Sequence, residues 1–122
     1  MFTLSEEEFA EVVSQVIDDL PAEFRSKLDN VEVVIEDFPP PEIRRRFPPN
    51  RLILGLYQGV PHKKRTVGYG LVLPDKISLY KRNIELMASS REDIYARIRK
   101  TLLHEIGHHF SLSDNDLRRM GW

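Results

Sequence analysis

The sequence predicts an α+β fold, a small mixed, twisted sheet packed against an N-terminal helix and a long C-terminal helix. Three observations lead to it. Apolar residues recur at three-and-four spacing near both ends of the chain, the signature of helices with one buried face. Between them lie three runs in which apolar residues alternate, as in strands. The connections between those runs carry most of the prolines and glycines, which interrupt regular structure.

Taken in order, Phe9, Val12, Val13, Val16, Ile17 and Leu20 mark the first helix. Ser5 and Glu8 form a capping box at its start, and Pro21 limits its end. "PAEFRSKLDN" adds a short second helix, and "VEVVIED" a strand with Val31, Val33 and Ile35 on one face. "EIRRRFPPN" has room for a turn or two of helix before its proline pair. "RLILGLYQG" reads as the second strand. A long connection follows, with a short extended piece around Gly70 to Leu73. "KISLYKR" is the third strand, Ile77 and Leu79 facing inward. The strongest helical pattern runs from Arg91 to about Phe110. Ser90 caps it, with Ile94, Ile98, Leu102, Leu103, Ile106 and Phe110 on the buried side. "SDNDLRRM" closes the chain with one short helix, Ser113 serving as its N-cap.

The length of 122 residues suits one domain spanning 1–122. An apolar fraction of 41% and a charged fraction of 30% are those of a folded globular chain, not a disordered one. A net charge of −1 argues against a surface built for nucleic acid or an anionic membrane, so neither is expected as a partner. No apolar run is long enough to span a bilayer. The N-terminus is acidic where a signal peptide is basic, which places the expected location in the cytoplasm. Cysteine is absent. Any metal site must therefore use imidazole and carboxylate, a mixture that suits zinc.

"HEIGHHFSLSD", His104 to Asp114, holds three of the four histidines. His104 and His108 are one turn apart on a helix and share a face, so two imidazoles can bind one ion. Glu105 lies about 100° around the helix from His104. It is badly placed as a third ligand and well placed to reach a water on the ion as general base. That is the physical content of H-E-x-x-H. A catalytic zinc needs a third protein ligand and an open fourth position. Asp114 follows His108 by six residues, and a chain that turns at the end of the helix can bring its carboxylate back. Asp116 and, less favourably placed, His109 are the alternatives.

With "LLHEIGHHFSLSDNDL" and "GYGLVLPDKISLYKR", the chain resembles the minimal zincin-like metallopeptidase family of small bacterial proteins. The resemblance covers most of the chain. It implies a compact zincin-like fold, a small sheet against an active-site helix with one zinc ion at that helix's end. The chain is also similar to the metzincin pattern H-E-x-x-H-x-x-G-x-x-H/D, onto which His104, Glu105, His108 and Asp114 map as ligand, base, ligand and third ligand. Ser111 departs from that pattern, standing where it has glycine.

The expected activity is hydrolysis of peptide bonds by a zinc-activated water, with a short or unfolded peptide as substrate. The alternative is a non-catalytic module whose zinc staples the last helix to the C-terminal tail and which works through a protein partner. "KISLYKR" is the expected edge strand for a bound peptide, with Lys76, Lys81 and Arg82 protecting it from aggregation. Tyr69 and Tyr80 are candidate phenols for stabilising an oxyanion. His62 and the basic runs 44–46 and 62–65 read as solvated loops.

Overall fold

A computed structural model describes residues 1–59, 66–67, 71–110 and 114–119; of these, 66, 67, 71, 72, 114, 116 and 117 are described by their backbone alone. Helix α1 (Glu6–Asp19) opens the fold with the expected capping box. Ser5 Oγ accepts from the Glu8 N–H, and the Glu8 carboxylate accepts from the Ser5 N–H. Those bonds satisfy two of the N–H groups a helix start leaves unpaired. They also hold the Glu8 carboxyl below its ordinary range. Phe9, Val12, Val13 and Val16 are its buried stripe, and Leu20 in extended backbone ends it before Pro21. A single turn-and-a-half, α2 (Ala22–Ser26), leads into β1 (Val31–Glu36). After α3 (Pro41–Arg44) come β2 (Gly55–Gln58), β3 (Thr66–Val67), β4 (Leu71–Val72) and β5 (Asp75–Tyr80).

The α+β class and the mixed sheet are as expected, but the strand order is not. The sheet runs β1-β5-β2, with β1 parallel to β5 (Val31 opposite Asp75) and β2 antiparallel to it (Gly55 opposite Leu79). "KISLYKR" is therefore the central strand. The edges are β1 and β2. Five of the six β5 residues are buried, because both faces are covered as well as both sides. The lysines and arginine expected to protect an edge have other partners. Lys76 pairs with Glu36 across the strands, and Arg82 lies within ion-pair distance of Asp37. Lys81 belongs to a helix.

That helix, α4 (Lys81–Met87), follows β5 without a break and has no counterpart in the sequence pattern. Lys81 is 4% exposed and Glu85 1%. Lys81 Nζ donates to Glu85 Oε2 at 2.9 Å, one turn on, and the Leu4 N–H donates to the same oxygen at 2.8 Å. The ion pair thus ties the N-terminal segment to α4, aided by the Phe2 N–H donating to the Glu85 carbonyl. Helix α5 (Arg91–His109) follows, capped as expected by Ser90, whose Oγ accepts from the Asp93 N–H. The Asp93 carboxyl is held below its ordinary range by the Ser89 N–H and by Arg97. Its contribution to the helix start is present above the unfolded pKa and is lost as pH falls through the lowered folded value. Helix α6 (Asp114–Arg119) lies close to α5.

The core lies between α1, α5 and one face of the sheet. Phe9, Val12 and Val16 meet Ile77 and Leu79 of β5 and Ile94, Ile98, Leu102, Leu103 and Ile106 of α5. One glycine sets how closely β2 lies on α5. A Cβ at Gly55 would stand 2.6 Å from Thr101 Cγ2 and 2.9 Å from the Ser78 carbonyl oxygen, so neither a methyl group nor anything larger fits without displacing backbone.

Two outcomes follow for stability. Gly55→Ala should cost about 1–3 kcal/mol by overpacking, read as a lowered midpoint in denaturant titration. Glu85→Ala leaves the Lys81 ammonium buried without its carboxylate. It should cost about 3–5 kcal/mol, well beyond an average surface substitution, in the same titration.

Candidate active site

His104, Glu105 and His108 sit in the last two turns of α5, where the helix runs beside the outer edge of β2. The buried row Leu102, Leu103 and Ile106 anchors this stretch to the core and fixes its rotation. His104 and Glu105 are thereby half-buried and His108 is exposed. The two ring centroids are 5.8 Å apart and the rings nearly perpendicular, at 85°. Two imidazole nitrogens on one tetrahedral zinc, at 2.0–2.1 Å, bring ring centroids to about 5 Å, so small side-chain rotations bring this pair onto one ion. The donor set fits zinc as well, being nitrogen-rich with no thiolate.

Glu105 is held from the sheet. The Tyr57 backbone N–H, on the side of β2 turned away from β5, donates to Glu105 Oε1 at 2.9 Å. This bond joins the sheet edge to the helix at the carboxylate that the sequence pattern marks as a candidate base. The close approach at Gly55, two residues earlier, is what brings the strand within reach.

The side chain of Tyr57 builds a second layer around the site. Its hydroxyl donates to Asp75 Oδ2 at 2.7 Å. His109 stacks on its ring, 3.8 Å between centroids and 15° between planes, with Nε2 3.8 Å from the same Asp75 oxygen. His109 thus points off the His104/His108 face, as the helix geometry requires, and packs against the end of the sheet. Gly59 lies beside it, where a Cβ would stand in ordinary van der Waals contact, 3.4 Å from His109 Cε1. Asp75 is 6% exposed. Nothing in the sequence flagged Tyr57. The one available signal was an aromatic in a short strand two residues after a glycine, which is common.

Asp114 is the first residue of α6, which lies close to α5, but the side chains of Asp114 and Asp116 lie outside the described residues, as do Ser111, His62, Tyr69 and Met120. Among the described residues no third His, Asp or Glu joins the histidine pair in a group able to hold a metal. The Tyr80 phenol lies within electrostatic range of Glu105. Its ring is fully buried beside Ser78, and burial pushes its phenol above the ordinary range.

A cleft of about 300 Å³ opens between β2 with the segment before it and α5. His104 and Glu105 line one end, Arg97, Lys100 and Thr101 continue along the helix, and Arg51 to Leu56 form the opposite wall. The match of the zincin-like metallopeptidase family model spans residues 28–122, from just before β1 through the helix with its histidines. The chain belongs to that family. In three dimensions it is similar to a conserved hypothetical protein from Thermo thermophilus, with 28% sequence identity and a TM-score of 0.58, covering 87% of this chain and 94% of the other. No curated protein matches the chain. No described helix is long and apolar enough to cross a membrane.

The layer behind the site can be tested apart from the ligands. Tyr57→Phe removes a donor from the buried Asp75 carboxylate while keeping the stacked ring and the backbone N–H. It should cost about 1–3 kcal/mol of stability and leave zinc uptake unchanged. Loss of zinc uptake in a folded variant would make the phenol part of the metal centre.

Proposed function

We propose that this member of the zincin-like metallopeptidase family is a zinc-dependent peptidase. His104 and His108 are two zinc ligands, Asp114 the third, and Glu105 the general base. The observation that carries this reading is the 2.9 Å bond from the Tyr57 N–H to Glu105 Oε1, beside the histidine pair and at the end of an open cleft. A zinc that only stapled α5 to the C-terminal tail would need neither an anchored carboxylate nor a cleft leading to it.

A zinc ion held by His104, His108 and Asp114 would supply a water whose pKa is lowered from about 15.7 to about 7 and a Lewis acid for the substrate carbonyl. The chain supplies everything else. Tyr57 holds one oxygen of Glu105, so the other meets the water in a fixed orientation. Glu105 takes the proton as the water oxygen bonds to the carbonyl carbon. It then delivers that proton to the amide nitrogen as the C–N bond breaks, releasing a carboxylic acid and an amine. An extended peptide entering the cleft runs along the outer edge of β2, where the Gly55 carbonyl faces away from β5. That edge replaces the one expected at β5.

Two variants test the assignment. Glu105→Gln should keep zinc and lower cleavage of an unstructured peptide mixture by about 10²–10⁴-fold, the range for loss of a general base. Retained cleavage would remove Glu105 from the mechanism. Asp114→Ala should weaken zinc binding by more than the roughly 10–100-fold typical of an outer-shell partner, measured by zinc retained after dialysis. Unchanged retention would assign the third ligand elsewhere.

A further inference from the structure

The cleft beside Glu105 is strongly asymmetric in charge. The chain as a whole is balanced, with 18 basic and 19 acidic residues. Yet the cleft lining includes Arg51, Arg97 and Lys100, and Glu105 is the one carboxylate among its described lining residues. Each cation has a different support. Arg51 sits over the Phe47 ring, its guanidinium carbon 5.1 Å from the centroid. Arg97 is braced from the helix side by Asp93, Nε to Oδ1 3.2 Å, and its guanidinium is the more restricted for it. Lys100 is exposed. Low-dielectric walls such as Leu52 and Ile53 strengthen the field of such charges across the cleft.

We propose that the cleft selects an acidic side chain of the bound peptide, placed by Arg51, Arg97 and Lys100 on the Arg97 side of the bond to be cut. The inference rests on the peptidase reading for the location of that bond. The spacing is set by the two backbones. Along α5 the rise of 1.5 Å per residue puts Lys100 about 6 Å and Arg97 about 10 Å before His104. An extended peptide advances about 3.3 Å per residue, so the acid falls two to three residues from the scissile bond. The carboxylate of Asp or Glu meets two guanidinium groups and one ammonium there, and charge-assisted bonds of this kind are the strong ones. A basic side chain at the same place is repelled by all three.

The test is a binding measurement that needs no turnover. Glu105→Gln protein, full length and in zinc-containing buffer, is titrated against dye-labelled hexapeptides blocked at both ends. Each carries one Glu at a successive position, and each is matched by the same peptide with Gln. Fluorescence anisotropy at low salt should show one or two adjacent positions where Glu binds at least about tenfold tighter than Gln, a difference of about 1.4 kcal/mol. Lys100→Glu, an exposed substitution with no packing cost, should abolish that preference. Equal binding of Glu and Gln peptides, or binding of neither, would overturn the inference, as would a Glu preference that survives Lys100→Glu. If the Glu preference holds and depends on Lys100 while the wild-type protein fails to cut the favoured peptide, the cleft assignment stands and the peptidase reading falls.

Discussion

The contact between the outer edge of β2 and helix α5 governs both the fold and the site. It exists because residue 55 has no side chain, leaving Thr101 and the Ser78 carbonyl in contact range of bare backbone. Two residues later the same strand offers an N–H with no partner in the sheet, and Glu105 accepts it. Strand edges ordinarily expose such groups to solvent or to other chains. Here the exposed edge is used from within, its hydrogen bond fixing a carboxylate that would otherwise sample several rotamers on a helix surface.

Rigidity behind that contact comes from three directions. The apolar side of α5 is locked between α1 and β5, so the ring positions of His104 and His108 are set by a buried core. Asp75, at the start of the central strand, takes the Tyr57 hydroxyl, and His109 lies flat on the Tyr57 ring. At the far end of β5 the buried Lys81–Glu85 pair holds the chain's N-terminal segment against α4. Such a pair is expensive to desolvate, and its value lies as much in fixing one arrangement as in net stability. The proposed site of two ligands and a base tolerates little movement, which fits a chain that gives so much of its packing to one helix.

Local signals read correctly wherever local physics decides the structure. The capping box at Ser5 and Glu8, the Ser90 cap, the apolar stripe of α5 from Ile94 to Ile106 and the one-turn spacing of His104 and His108 all depend on residues close in sequence; Phe110, expected on that stripe, is instead exposed where the helix ends. The errors arise where distant contacts decide. "KISLYKR" reads as an edge because its ends are charged, but Lys81 is neutralised by Glu85 in a helix that begins at that residue, and strand order follows from which runs find partners on both sides. Helix α4 is illegible in the sequence because its seven residues are too few to show a clear period and its buried set includes Lys81, Asn83 and Glu85. Tyr57 escapes notice for a different reason. Its role rests on a backbone N–H, which every residue but proline has, so no choice of side chain announces it. The proposed ligand pair and base are legible because H-E-x-x-H encodes its geometry within a single turn. The third ligand depends on how the chain returns after α5, and spacing alone does not fix that.

The most direct test of the account is X-ray absorption at the zinc edge on untagged, zinc-loaded protein. The account requires two imidazole nitrogens and carboxylate and water oxygens, four light atoms at about 2.0–2.2 Å, with the multiple-scattering pattern of two histidine rings. A shell with three or more imidazoles and no open position would place His109 on the metal and replace a hydrolytic centre with a structural one. Failure to take up one zinc per chain would contradict the account at its root.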